Sequence, residues 1–135
     1  MIIAYVLLML ASASARQAST LSQAAAAVQR AWLAHDAQAI VEHSPNLVLQ
    51  IPGADPSSPM GRAQAAELLR RYFTGRQERR LDISSIRELE ADKGFVELER
   101  RYVVTGTDDE RHETLFLGFR RQQGQWLLLE LRSVT

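Results

Sequence analysis

Four segments in a row, 80–90, 95–105, 111–121 and 125–134, alternate apolar and polar residues with a period of two. Such alternation is the signature of half-buried strands. The separators are Asp92-Lys93-Gly94, Gly106-Thr107-Asp108-Asp109 and Gln122-Gln123-Gly124, all short and turn-prone, so the segments form an antiparallel meander of hairpins. Strands this long exceed the usual five or six residues, and in a small sheet they must coil and bend. Ser84-Ser85 interrupts the alternation between Ile83 and Ile86, as a β-bulge does.

The preceding half reads as helices. Thr20-Leu21-Ser22-Gln23 has the form of a capping box, and Leu21, Ala25, Val28 and Trp32 follow at helical spacing, which predicts a helix to about His35. Asp36 can cap a second, short helix carrying Ile40 and Val41, ended by Ser44-Pro45. Residues 46–51 read as a short buried strand, and the turn-rich run from Pro52 to Pro59 as an exposed loop. After Gly61 a third helix places Ala65, Leu68, Leu69, Tyr72 and Phe73 on one stripe, with Gly75 as its stop. The fold class is therefore α+β, with helices packed on a strongly curved antiparallel sheet.

At 135 residues and 46% apolar composition the chain is one domain with a real core. Sixteen basic and sixteen acidic residues cancel, so no global field draws nucleic acid or an anionic membrane. The local cluster Arg70, Arg71, Arg76, Arg79 and Arg80 reads as a solvated face. Without cysteine there are no disulfides, thiolate metal sites or cysteine nucleophiles. Ile2 to Leu10 is an uninterrupted apolar run followed by Ala11-Ser12-Ala13-Ser14-Ala15, the form of a secretory signal peptide cleaved after Ala15. The competing reading is a buried first element of the domain. Residues 1–15 as a signal and 16–135 as the domain predict a periplasmic or secreted protein without a membrane span.

Alternation also sorts the strand residues by face. Val96, Leu98, Arg100, Tyr102 and Val104, with Glu113, Leu115, Leu117 and Phe119, and Leu127, Leu129 and Leu131, form the face expected to receive the helices. Phe116, Trp126 and Leu128 then fall on the otherwise charged outer face, which predicts a homodimer through that surface, against the alternative of scattered surface apolars.

The order of elements resembles the nuclear-transport-factor-two-like superfamily, a cystatin-like α+β cone in which the sheet wraps round a long helix. Leu47-Val48-Leu49-Gln50-Ile51-Pro52-Gly53, Ala63-Gln64-Ala65-Ala66-Glu67-Leu68-Leu69 with Tyr72-Phe73, and Trp126-Leu127-Leu128-Leu129-Glu130-Leu131-Arg132 carry the likeness over residues 22–134. Within that superfamily the chain resembles a bacterial exported domain family of unknown function. The resemblance implies a cone, often with a pocket. Enzymes of the superfamily place an Asp or a His–Asp pair in that pocket. These are scaffold motifs, and they transfer no catalytic residue.

The candidate pocket residues are Trp32, Tyr72, Arg100, Tyr102, Glu113 and Leu129, with Glu113 the one candidate catalytic group. A carboxylate in a water-poor cone can serve as a base because desolvation raises its pKa. The competing reading is an Arg100–Glu113 ion pair across adjacent strands, filling the cone. His35-Asp36 points in divergent directions on a helix, and His43 precedes the Ser-Pro stop. The three histidines lack convergent metal-ligand spacing, Asp108-Asp109-Glu110 lacks that of a calcium loop, and no Gly-rich phosphate loop occurs, so no cofactor is expected. Three readings follow. One is a non-enzymatic exported domain with a small, mainly apolar ligand in its cone or a sheet-mediated dimer. Another is a lyase or isomerase using Glu113 with Arg100 and Tyr102. The third is a structural or partner-binding domain with a filled cone.

Overall fold

Capping and periodicity set the helices where the sequence places them. The computed structural model describes residues 19–135. The expected signal segment lies outside them. Helix α1 (Leu21–Leu33) begins at Thr20, whose hydroxyl accepts from the Gln23 N–H while Gln23 accepts from the Thr20 N–H. Asp36 accepts from the Ala39 N–H and opens α2 (Ala37–Ile40). Helix α3 (Arg62–Phe73) follows Gly61, and Gly75 at φ +74° turns the chain out of it. Among the described residues no helix is long and apolar enough to cross a membrane.

One five-stranded sheet receives them. Its strands are β1 (Val48–Gln50), β2 (Arg76–Leu89), β3 (Lys93–Val104), β4 (Glu110–Gln122) and β5 (Gln125–Val134), in the order β1-β5-β4-β3-β2. The last four make the expected meander, closed between β4 and β5 by Gln123-Gly124, both at positive φ. Strand β1 joins the β5 edge in parallel, Leu49 opposite Leu131. It is shorter than the 46–51 run, because Leu47 pairs instead with Met60 across the loop. Strand β2 starts at Arg76, ahead of the expected residue 80, since a register shift between Glu78 and Arg80 masks the alternation there. A second shift lies between Ile83 and Ser85, at the expected bulge.

Residues from α1, α3 and the inner sheet face meet in one core, in which Leu21, Trp32, Leu69, Leu98, Leu115, Leu117 and Leu131 are fully buried. At Gly94 the sheet backbone packs close under α1: a Cβ there would lie 2.7 Å from a Leu21 methyl and 3.1 Å from the Trp126 ring.

The β5 faces differ from the expectation. Phe119 pairs with Leu128 and Gly118 with Glu130, so Leu129 is an extra residue and the alternation changes phase across it. Trp126 and Leu128 consequently turn into the core, 5% and 3% exposed, and leave the predicted dimer face. Leu127 and Leu129 are half-exposed instead of inward. A single inserted residue inverts the face of everything before it, because the side-chain period of a strand is two.

Candidate functional site

The interior of the cone holds a polar cluster built by register. Arg100 on β3 stands directly opposite Glu113 on β4, and both side chains point inward beneath the helices. Arg100 is 1% exposed and Glu113 3%. The Arg100 Nη1 donates to Glu113 Oε2 at 2.8 Å and to the Tyr72 hydroxyl at 2.9 Å. Its Nε and Nη2 donate to Glu78, the Nε at 3.0 and 3.1 Å. One cation therefore lies between two carboxylates, gripped side-on by Glu78.

Four donors hold Glu113. Its Oε2 accepts from Arg100, from Ser133 at 2.7 Å and from the Tyr72 hydroxyl, and its Oε1 accepts from the Tyr102 hydroxyl at 3.0 Å. Three donors crowd Oε2 and one reaches Oε1, so four hydrogen bonds hold the carboxylate in place. The Arg100 guanidinium carbon lies 4.1, 5.0 and 5.2 Å from the ring centroids of Tyr102, Trp32 and Tyr72. The space among these three aromatics, expected as a pocket, is filled by the guanidinium. At the rim His35 Nε2 lies 3.0 Å from Glu78, with its ring stacked on Phe73. Among the described residues the Trp32 indole N–H and the Ser44 hydroxyl are buried without a hydrogen-bond partner.

The electrostatics follow from this packing. Burial pushes the Glu113 carboxyl up, but the hydroxyls of Tyr72 and Ser133 and the Arg100 guanidinium together hold it below the ordinary carboxylate value. Burial first, and then its bond to Glu113, push the Tyr72 phenol up, so it stays a donor. Burial disfavours the Arg100 cation, yet the hydrogen bond and charge of Glu78 outweigh it. A depressed carboxylate is a weak base, the opposite of what proton abstraction near neutral pH requires.

Of the six predicted pocket residues, Trp32, Tyr72, Arg100, Tyr102 and Glu113 meet in this cluster, whereas Leu129 sits at the β5 bulge. Glu78 and Ser133 were missed. Ser133 shares the inward parity of Leu131, so alternation could have found it; Glu78 lies just before the masking bulge. His35 and Asp36 diverge, one to Glu78 and the other to its cap. In the arginine cluster, Arg70 and Arg71 pair with Glu67 and Arg80 with Asp82 in solvent. Among the described residues no group of His, Cys, Asp and Glu is placed to hold a metal ion.

No family model matches the sequence, and no curated protein matches it. Solved structures do match. A calcium/calmodulin-dependent protein kinase type II association domain, described as putative, from Thiobacillus denitrificans superposes with a TM-score of 0.70 at 18% identity, over 87% of this chain and 96% of that one. A ketosteroid isomerase-like protein from Erwinia carotovora atroseptica gives 0.67 at 19%, over 84% and 92%. A DUF4783 family protein from Bacteroides ovatus gives 0.67 at 14%, over 82% and 93%. The fold is the nuclear-transport-factor-two-like cone. At these identities the likeness extends to the fold and no further. Within this cone the chain's own ion pairs fill the space around Arg100, while Phe119, Trp126 and Leu128 line a separate cavity of about 240 Å³ with Val28 and Ile40.

Proposed function

We propose that this chain is a non-enzymatic accessory domain whose cone is a structural core. The observation that carries the reading is the grip on Glu113: four donors hold a carboxylate that is 3% exposed, so a substrate has no open approach to it. The depressed Glu113 carboxyl supports it. The runner-up, a lyase or isomerase acting through Glu113, needs a raised carboxylate in an open cavity, and the cluster supplies neither. Because one structural neighbour is named ketosteroid isomerase-like, a 5-ene-3-ketosteroid is the sharpest substrate to offer. Followed by the ultraviolet absorbance of the conjugated enone, the wild type should not exceed the buffer rate. Turnover that Glu113→Gln abolishes would overturn the non-enzymatic reading.

A small apolar ligand among Trp32, Tyr72 and Tyr102 is disfavoured, since the Arg100 guanidinium occupies that space. A second copy against the outer sheet face is a second reading. Phe116 lies on that face between Glu97 of β3 and Arg132 of β5, beside Phe95, which is 42% exposed. A two-fold partner would cover the aromatic pair and oppose Glu97 to Arg132. Sedimentation equilibrium tests it. Export remains part of the proposal and rests on residues 1–15. Sequencing the N-terminus after expression in a bacterial host should begin at Arg16, and an intact Met1 would refute it.

A further inference from the structure

Outside the cone's interior, a second cleft of about 470 Å³ opens between β1 with its following loop, α3 and the start of β2. One wall is apolar: Leu49 and Ile51 from β1 and its end, Leu68 from α3 and the ring of Tyr72. At its end stands Arg76. The Arg76 guanidinium carbon lies 4.5 Å over the Tyr72 ring, and its Nη1 donates to the Tyr72 carbonyl at 2.5 Å and the Thr74 carbonyl at 3.3 Å. Those bonds cap α3 and fix the guanidinium in place. They use one nitrogen. The Nε and Nη2 edge has no hydrogen-bond partner among the described residues, and no carboxylate there pairs with Arg76.

We infer that this cleft binds a small amphipathic monocarboxylate, its head group on the free edge of Arg76 and its tail along Leu49, Ile51 and Leu68. A planar guanidinium edge matches a carboxylate bidentately, and the fixed geometry lowers the entropy cost of gripping it. The volume falls within the usual range for small-molecule sites, and an apolar wall with one polar anchor is their usual composition. The other charged groups of the cleft do not compete. Arg71 is turned to Glu67 and 73% exposed, and Asp55 stands on the exposed loop in solvent, where its charge is screened. Binding here neither requires nor excludes the non-catalytic reading of the cone.

Octanoate is the probe, titrated into the full chain by calorimetry below its aggregation range. The expected result is saturable one-to-one binding, weakened at least tenfold for octanol, which keeps the tail without the charge, and for octylamine, which inverts it. Arg76→Gln should weaken octanoate at least tenfold, and Arg76→Lys, which keeps the charge without the fork, by less. Should Arg76→Gln lower the melting temperature through its lost cap, Leu68→Gln at the half-exposed wall carries the test and should weaken octanoate severalfold without altering the fold. Octanol binding as tightly as octanoate, an unchanged affinity in both variants, or no saturable binding would each overturn the proposal.

Discussion

Glu113 and Arg100 show how far one buried pair can decide the character of a cone. Each is almost wholly out of water, and each is stabilised only by the other groups of the cluster. Replacing a buried pair with apolar residues can be harmless, but removing one partner leaves an uncompensated charge. Glu113→Gln should therefore cost about 3–5 kcal/mol in urea unfolding at pH 7. The pH dependence has a definite sign. The folded carboxyl titrates below its unfolded counterpart, so the stability it supplies is fully present above the unfolded pKa of about 4.3 and is lost as pH falls through the folded value. Unfolding free energies from pH 7 down to pH 3 should fall more steeply for the wild type than for Glu113→Gln, and parallel curves would refute the assignment. The pair itself was legible in the sequence, because both residues carry the inward parity of their strands. Its completion by Glu78 was not, since a bulge separates that residue from the readable alternation.

At the scale of elements, the hairpin turns, the two caps and the α3 stripe follow from local chemistry, and the structure places them within a few residues of expectation. The face of β5 does not follow from local chemistry. Leu127, Leu128 and Leu129 are equally apolar, so nothing local marks which of them is the extra residue. The packing decides it: Trp126 and Leu21 both close over the bare backbone of Gly94. Gly94→Ala should destabilise by about 1–3 kcal/mol, the usual cost of overpacking, because a Leu21 methyl and the indole both stand within 3.1 Å of the new methyl group. Thermal unfolding measures this, and a melting temperature equal to wild type would show that the α1 contact is loose.

For the whole molecule, the bulge that moves Trp126 and Leu128 inward leaves Leu127 and Leu129 half-exposed in their place, so the apolar residues outside the core are exchanged and not removed. Phe95, Phe116 and Val134 also lie outside, on a face shared with Glu97, Glu99, Glu130 and Arg132. Stable interfaces cover about 800 Å² per partner, so the charged residues would have to take part. The dimer reading predicts that Phe116→Glu shifts the wild type to monomer in sedimentation equilibrium, because it places a carboxylate beside Glu97 on both copies. A monomeric wild type, or an unchanged dimer in the variant, removes the reading. Trp126→Glu would not test it, since a core residue reports on folding and not on the interface.

The curved sheet with its helices was determined by the sequence alone: a period of two in four long segments, punctuated by turn residues, admits little else. Composition and parity also placed one cation and one carboxylate on its inner face. Only the tertiary structure decided that the two meet Glu78, Ser133 and two tyrosines, and so fill the space expected as a pocket among Trp32, Tyr72 and Tyr102. It likewise decided which way Trp126 and Leu128 face. Both outcomes turn on bulges. A bulge shifts register by one residue, and one residue moves a side chain from the solvent to the core.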